Sequence, residues 1–253
     1  MIIITGASSG IGQELAIQFS KLQAKVILAA RRSDKLVELE NRINKSGGHA
    51  ISIKTDMADI ADVANLVNTT LSKWNRIDIL ISNAGQYIQS PIYNSELNDF
   101  KQSFDVNFYG SYYAVKEALP HMIKQNSGHF VFINSLDAKK GIVGDAPYVA
   151  AKYALDGFAD VLRQEVKSNG IAVSTVYPGR VDTPMIQDLK VPWISAKISV
   201  TKVANAVAKG IIKKKSIIIV PKLFFPLGAL NNIFPRLMDW FYSKFQLEGK
   251  KVA

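Results

Sequence analysis

The chain has 253 residues, 48% of them apolar, and a formal net charge of +10. This length and apolar content allow one α/β domain or two small ones, each with a sizeable core. The sequence contains no cysteine, which excludes disulfides, thiolate metal sites and cysteine nucleophiles, and its three histidines, His49, His121 and His129, lack the spacing of metal ligands. We therefore predict no metal site.

The positive charge is concentrated at the end of the chain. Residues 201–253 contain ten Lys/Arg against two acids, which is +8 of the total. Such a basic segment is most often a solvated surface; an anionic membrane surface is the next alternative, and nucleic acid is not expected as a partner. The first residues, three isoleucines followed by a glycine loop, do not have the pattern of a secretory signal, so we expect a cytoplasmic protein.

Short apolar runs alternate with longer helix-patterned segments through most of the chain. This alternation predicts βαβ units and a parallel sheet that is buried on both faces. Strands are predicted at residues 2–5, 25–30, 49–54, 77–82, 129–134, 171–176 and 216–220, and helices at 11–22, 33–45, 59–73, 96–125, 148–168 and 200–213. The carboxyl ends of parallel strands meet at one edge, where the following loops build a ligand site. Residues 1–220 form the predicted domain, and 221–253 form a basic, aromatic C-terminal extension.

A glycine-rich loop separates the first predicted strand from its helix. Without side chains, its glycines allow a tight turn and the close approach of a pyrophosphate to the free N–H groups at the helix start. In this strand-to-helix context the pattern predicts a dinucleotide site, whereas a glycine loop alone would be weak evidence. The residues of the loop are Gly6, Ser8, Ser9, Gly10, Ile11 and Gly12.

The residues at the end of the second predicted strand indicate which dinucleotide binds. Enzymes that prefer the non-phosphorylated cofactor usually place an acid there for the ribose 2′-hydroxyl, but this chain has Arg31 and Arg32. Guanidinium groups suit a 2′-phosphate, so NADP(H) is favoured and NAD(H) is kept as the alternative; the arginines could also be merely solvated. Contacts with the adenosine part are predicted for Asp56, Met57, Asn83, Ala84 and Gly85.

A tyrosine and a lysine are spaced for acid–base chemistry. Tyr148 and Lys152 are four residues apart and share one face of a predicted helix, which brings an ammonium close to a phenol. A neighbouring cation should lower the phenol pKa from its usual value of about 10 toward working pH, which would make Tyr148 a general acid/base. Ser135 and Asn107 precede this pair, and each of the four residues alone could have a structural role.

Taken together, these motifs resemble the short-chain dehydrogenase/reductases over roughly residues 1–220. The resemblance implies a Rossmann-type doubly wound parallel sheet of about seven strands with helices on both faces. It also implies that Tyr148 donates a proton to a substrate carbonyl that Ser135 polarises. Lys152 would bind the nicotinamide ribose and lower the Tyr148 pKa, and Asn107 would hold a water that links Lys152 to solvent. Contacts with the nicotinamide end are implied for Pro178, Gly179, Val181 and Thr183.

The segment from Thr183 to Ser199 predicts the kind of substrate. In the family that the chain resembles, this region covers the substrate, and here it is rich in apolar residues that would exclude water on closure. We expect Met185 and Trp193 to contact the substrate beside Ser135 and Tyr148. The predicted substrate is a hydrophobic ketone or secondary alcohol, such as a lipid-like, steroid-like, retinoid-like or long-chain compound.

Three further questions are left open by the sequence. The extension 221–253 could pack on its own domain or on a partner subunit, or it could lie in a membrane interface as a peripheral contact. The resemblance implies a homodimer or homotetramer built on the long helices near 96–125 and 148–168. The predicted function is an NADP(H)-dependent carbonyl reductase, reversible as an alcohol dehydrogenase; the alternatives are a non-catalytic dinucleotide sensor and a membrane-surface scaffold with the same fold.

Overall fold

The structure is a computed structural model and describes residues 1–192, 195–247 and 250–251. Its strands are β1 (Ile2–Thr5), β2 (Lys25–Ala30), β3 (His49–Lys54), β4 (Ile79–Ser82), β5 (Gly128–Ile133), β6 (Ile171–Pro178), β7 (Leu189–Lys190), β8 (Ile217–Val220) and β9 (Lys250–Lys251). Its α-helices are α1 (Gly10–Lys21), α2 (Ser33–Lys45), α3 (Ile60–Trp74), α4 (Leu97–Phe104), α5 (Gly110–Gln125), α6 (Ala146–Glu165), α7 (Val200–Ile212), α8 (Leu227–Ile233) and α9 (Pro235–Lys244).

Seven strands form one parallel sheet in the order β3-β2-β1-β4-β5-β6-β8. The predicted α/β fold is therefore confirmed, and the seven predicted strands match those of this sheet closely. The strand order reverses direction between β1 and β4, which opens a crevice at the carboxyl edge of the sheet. The separate pair β7 and β9 is antiparallel.

The apolar core has two halves because successive strand residues point to opposite faces of the sheet. In β1, Ile4 packs with Leu15 of α1 on one face, and Ile3 packs with Leu66 of α3 on the other. All four side chains are fully buried. Helices thus cover both faces, which is why the strands are continuous apolar runs rather than alternating ones.

The predicted single helix at 96–125 is interrupted. Between α4 and α5 the backbone forms a π-helical turn over Asp105–Tyr109, and Asn107 lies buried inside it. Such wide turns within helices are frequent at functional sites. Hydrophobic periodicity could not predict this turn, because one widened turn shifts the pattern by a single residue.

The extension after β8 folds into α8 and α9, which were not predicted. Leu227 and Tyr242 pack against Leu136 and Tyr177 of the main body, so the extension covers its own domain at the carboxyl edge of the sheet. Helices of seven and ten residues are only marginally stable in isolation and depend on this packing. Within the part of the chain that the structure describes, no helix combines the length and apolarity needed to cross a membrane.

Candidate active site

A cavity of about 840 Å³ opens at the carboxyl edge of the sheet, above the point where the strand order reverses. It runs from the glycine loop past Arg32 to Tyr148 and ends under the C-terminal extension. The predicted cofactor, catalytic and substrate residues line this cavity, with two exceptions. Gly12 lies behind the loop, and Trp193 falls outside the described residues.

The glycine loop is held by backbone geometry and by Asn83. Gly6 and Gly10 have φ angles of +63° and +58°, which side-chain-bearing residues rarely adopt. A Cβ on Gly12 would lie 2.6 Å from the Gly6 oxygen and from Asn83 Nδ2, so Gly12 is required for packing beneath the loop rather than for contact with a ligand. Asn83 Nδ2 donates to the carbonyl of Thr5 at 2.9 Å and ties β4 to the loop.

Arg32 extends across the glycine loop. Its guanidinium donates to Ser8 Oγ at 2.9 and 3.2 Å and to Ser9 Oγ at 2.8 Å. Arg31 is exposed at the same end of the cavity. The two serines therefore orient one planar cation beside the loop that would receive the pyrophosphate. This donor set suits a phosphate near the adenosine ribose.

The other predicted adenosine contacts come from the loops after β3 and β4. Asp56 lines the cavity while its Oδ1 accepts the N–H of Ala58 at 3.0 Å. A Cβ on Gly85 would lie 3.0 Å from Asn107 Oδ1, so this turn passes close to the helix behind it. The continuous cavity, the positive-φ glycines and the arginines fit a nicotinamide dinucleotide.

The nicotinamide end is predicted beyond β6. Pro178 ends that strand, and the Gly179 N–H donates to the carbonyl of Val220 at 2.7 Å. Val181 is buried, and Thr183 approaches Gly10, where an added Cβ would lie 3.0 Å from Thr183 Cγ2. These contacts bring the segment after β6 against the start of α1, so it faces the same cavity as the glycine loop.

Ser135, Tyr148 and Lys152 meet at the centre of the cavity, and all three are buried. Ser135 follows β5, and its Oγ accepts the N–H of Asp137 at 3.1 Å, which holds the hydroxyl at the strand end. Lys152 Nζ donates to the carbonyl of Ile133 at 3.1 Å and lies 5.6 Å from the centre of the Tyr148 ring. The predicted helical spacing therefore does bring the cation and the phenol together.

The expected lowering of the Tyr148 pKa is not found in this structure. Burial raises the pKa of Tyr148 and the charge of Asp137 raises it further, while the Ser135 hydroxyl acts in the opposite direction. Burial also lowers the pKa of Lys152 to about 8. The expectation was wrong because it counted the neighbouring cation and not the desolvation that both groups share. Tyr148 is consequently protonated at neutral pH.

The Asn107 side chain is hydrogen-bonded to the loop after β4 and to Ser103 of α4. Its Nδ2 donates to the carbonyls of Gln86 at 2.8 Å and Ser103 at 2.9 Å, and its Oδ1 accepts the N–H of Gln86 at 3.1 Å. Asn107 thus joins the loop after β4 to the π-helical turn. The water-holding role implied by the resemblance stays a prediction.

The sequence analysis did not single out a group of charged residues beside the predicted catalytic residues. Asp137, Asp145 and Arg180 line the cavity, and so does Tyr87, whose hydroxyl donates to Asp145 Oδ1 at 2.7 Å. The Tyr87 ring meets Tyr148 edge-on, with the ring centres 5.3 Å apart. Burial raises the pKa of Asp137, and it raises that of Asp145 to about 7. Two acids between Ser135 and Tyr148 in the sequence were the available signal.

The C-terminal extension closes the far end of the cavity. Phe224, Tyr242 and Leu247 line it, and the Arg180 guanidinium donates to the carbonyl of Leu247 and to Ser195 Oγ. Of the three placements considered for the extension, packing on its own domain is therefore observed for these residues. Across the described ranges, no cluster of three or more His, Asp or Glu side chains is arranged to hold a metal.

Comparisons with known proteins agree with this geometry. A family model described as short chain dehydrogenase matches residues 1–192. A fatty acyl-CoA reductase from Acinetobacter baylyi is 32% identical, with 84% of this chain and 72% of that protein covered. A short-chain dehydrogenase/reductase from Burkholderia phymatum, solved in complex with NAD, has the same fold with a TM-score of 0.86 at 23% identity, covering 94% of each chain.

A metagenomic short-chain oxidoreductase solved in complex with NADP aligns with a TM-score of 0.76 at 28% identity, covering 87% of this chain and 96% of that one. The family model covers well over half of the sequence, and the cavity is lined by residues that the sequence predicts for cofactor binding and catalysis. The chain belongs to the short-chain dehydrogenase/reductase family and is an oxidoreductase that acts on CH–OH or C=O groups with a nicotinamide dinucleotide.

Proposed function

We propose that the protein is an NADP(H)-dependent carbonyl reductase, reversible as an alcohol dehydrogenase, in which Tyr148 is the acid/base. The observation that carries this proposal is the meeting of Ser135, Tyr148 and Lys152 in one buried site at the end of a dinucleotide-sized cavity. When bound, the nicotinamide supplies the hydride in reduction and accepts it in oxidation.

The protein's own residues manage the charge that develops on the substrate oxygen. Tyr148 is protonated at neutral pH and gives its proton to that oxygen. The Ser135 hydroxyl donates a hydrogen bond to the same oxygen, which orients the carbonyl and stabilises the forming alkoxide. The Lys152 ammonium lies close enough to stabilise the phenolate that remains on Tyr148. Asn107 would hold a water through which Lys152 exchanges protons with solvent.

The preference for NADP(H) is supported by Arg31 and Arg32. The guanidinium of Arg32 is oriented by Ser8 and Ser9 beside the glycine loop, and β2 is followed by these arginines rather than by an acid. A 2′-phosphate would be bound there by charge and by paired N–H donors, whereas the 2′-hydroxyl of NAD(H) would gain less.

A hydrophobic substrate is supported by the walls of the cavity beyond Tyr148. Leu136, Ile142, Met185, Phe224 and Phe241 line this end and present apolar or aromatic surface. One relative is a fatty acyl-CoA reductase, whose name denotes a long-chain substrate. We therefore extend the proposal to lipid-like, steroid-like or long-chain carbonyl compounds and the matching secondary alcohols.

Turnover of the cofactor tests this function. Purified protein is given NADPH or NADH with long-chain, cyclic and small polar carbonyl compounds, and oxidation is followed at the nicotinamide absorbance. We expect NADPH oxidation with apolar ketones, and we expect Tyr148→Phe to lower the rate by about 10²- to 10⁴-fold, the usual contribution of a general acid, while NADPH binding is kept. Activity confined to small polar sugars would refute the substrate class.

A matched tyrosine variant separates chemistry from packing. Tyr153 lies on the same helix but is 42% exposed and does not line the cavity, so Tyr153→Phe should leave turnover unchanged. Equal loss in both variants, or full activity of Tyr148→Phe, would remove Tyr148 from its role as acid. Cofactor binding without turnover of any compound by the unmodified protein would contradict the substrate classes proposed.

The assembly and location that we propose follow from the exposed surface. Tyr112 on α5 and Tyr153 and Val161 on α6 are exposed by 38%, 42% and 52%, a pattern that suits a homodimer or homotetramer built on these helices. Light scattering with Val161→Asp tests this, because the variant should dissociate the oligomer. The proposed site of action is the cytoplasm, at a membrane surface met by the extension 221–253.

A further inference from the structure

The two helices of the C-terminal extension have different inner and outer faces. On the inner face, Leu227, Met238 and Tyr242 pack with the main body, and Tyr242 also lines the cavity. The outward-facing side chains of the extension do not take part in this packing, although many of them are large and apolar. The helices therefore cover the cavity with one side and leave the other side without a partner among the described residues.

The outer face is strongly apolar and exposed. Trp240 is 55% exposed and Leu237 58%, and the two are three residues apart on one side of α9. We define the outer face by its members: Leu223, Phe225, Leu230, Ile233, Phe234, Leu237 and Trp240, which are exposed by 42–81%. Seven large apolar side chains are thus exposed within residues 223–240, and exposed apolar surface concentrated in this way marks an interaction site in a folded protein.

The charges around the outer face are positive. Lys222, Arg236 and Lys244 are exposed beside it, and Lys244 Nζ lies 4.5 Å from the centre of the Trp240 ring. Asp239 is the one acid of residues 221–247, and it pairs with Lys140 of the main body. Apolar rings and side chains bordered by cations complement an anionic lipid surface, which supplies both hydrocarbon and negative charge.

The outer face is continuous with the mouth of the cavity. Leu223 is 81% exposed and also lines the cavity, and its neighbour Phe224 lines the cavity from a half-buried position. We propose that the outer face docks on an anionic bilayer and that an apolar carbonyl substrate enters from the lipid past Leu223. The docking stands on the outer face alone, whereas the entry of substrate rests on the proposed reductase function.

Vesicle binding tests the docking without any need for a substrate. The protein is sedimented with vesicles of phosphatidylcholine alone or mixed with phosphatidylglycerol. We expect binding to the mixed vesicles that weakens with salt. Replacement of Lys222, Arg236 or Lys244 by serine should lower this binding about fivefold in each case. Leu237→Glu combined with Trp240→Glu should lower binding at least about tenfold, since charge replaces inserted apolar surface.

The control replaces an exposed apolar residue elsewhere. Ile92 is 77% exposed and lies outside the outer face, so Ile92→Glu should bind vesicles like the unmodified protein. Circular dichroism and NADPH binding verify that all variants are folded. Absence of vesicle binding, or unchanged binding by Leu237→Glu with Trp240→Glu, would overturn the docking. A dimer in solution that this double variant dissociates, without vesicle binding, would overturn it too and assign the face to a second copy.

Turnover distinguishes the two parts of the inference. The double variant leaves the cavity lining intact, so it should reduce a water-soluble ketone at the normal rate and a ketone dissolved in the mixed vesicles several-fold more slowly. Equal rates on both ketones would overturn entry from the lipid. Vesicle binding by a protein that oxidises NADPH with neither ketone would support the docking and refute the reductase proposal.

Discussion

Replacing Asp145 with asparagine tests by how much the buried Asp145 carboxylate lowers the free energy of unfolding. Burial raises the pKa of Asp145 from its ordinary 3.8 to about 7; the hydrogen bond from Tyr87 opposes this rise and the charge of Asp137 adds to it. An acid with a raised folded-state pKa keeps its proton in the folded state at pH values where the unfolded chain has lost it. The stability that the protonated Asp145 carboxyl contributes is therefore full below about pH 4 and is lost as the pH rises to about 7.

The size of the effect follows from the two pKa values. At about 1.4 kcal/mol for each tenfold change in a binding constant, a shift from 3.8 to about 7 amounts to about 4 kcal/mol at most, of which about 2–3 kcal/mol falls between pH 5 and pH 8. Asparagine keeps an oxygen that accepts the Tyr87 O–H, and it does not ionise. We expect the free energy of unfolding of Asp145→Asn, relative to the unmodified protein, to rise by that amount over this pH range.

Urea unfolding followed by tryptophan fluorescence at several pH values between 5 and 8 measures the difference. Asp99→Asn is the control, and its difference from the unmodified protein should stay flat between pH 5 and 8. The Asp99 carboxylate accepts from Ser90 Oγ at 2.7 Å, and this bond lowers its pKa, so the carboxyl is ionised in both the folded and the unfolded chain over this range and its contribution is lost only on acidification below about pH 4. A difference for Asp145→Asn that is flat with pH, or that falls as the pH rises, would refute the reasoning.

Three further predictions concern the cofactor site, the glycine loop and the proton relay. Arg32→Ala should weaken NADPH binding by about 10- to 150-fold and NADH binding by less than about twofold, as calorimetry can measure; equal losses would contradict a 2′-phosphate site. Gly12→Ala should lower the melting temperature and cofactor affinity because its Cβ meets the Gly6 oxygen, whereas Gly157→Ala, with open space around the new Cβ, should stabilise α6 by about 0.5–1 kcal/mol. Because burial lowers the pKa of Lys152 to about 8, kcat/KM for reduction should fall as the pH rises above about 8; a flat profile up to pH 10 would argue against an ammonium in the mechanism.

The parallel sheet and about half of the residues that line the cavity could be predicted from the sequence. Ile2, Ile3 and Ile4 form a continuous apolar run because β1 is buried on both faces, and the same pattern recurs in the other strands of the sheet. The glycine loop and the four-residue spacing of Tyr148 and Lys152 are local patterns, because each lies within a short stretch of sequence. Such features can be predicted because each is set within a few residues of the chain.

The pKa values of the site and the closure of the cavity by the extension depend on the tertiary structure. The pKa of Tyr148 depends on everything that excludes water from it, including Asp137 and the covering helices, and the four-residue spacing to Lys152 carries none of that information. The position of the extension depends on Arg180, which contacts Leu247 across 67 residues of sequence, and on packing that stabilises helices too short to form alone. Desolvation and long-range packing arise from distant parts of the chain, and for that physical reason they could be found only in the folded protein.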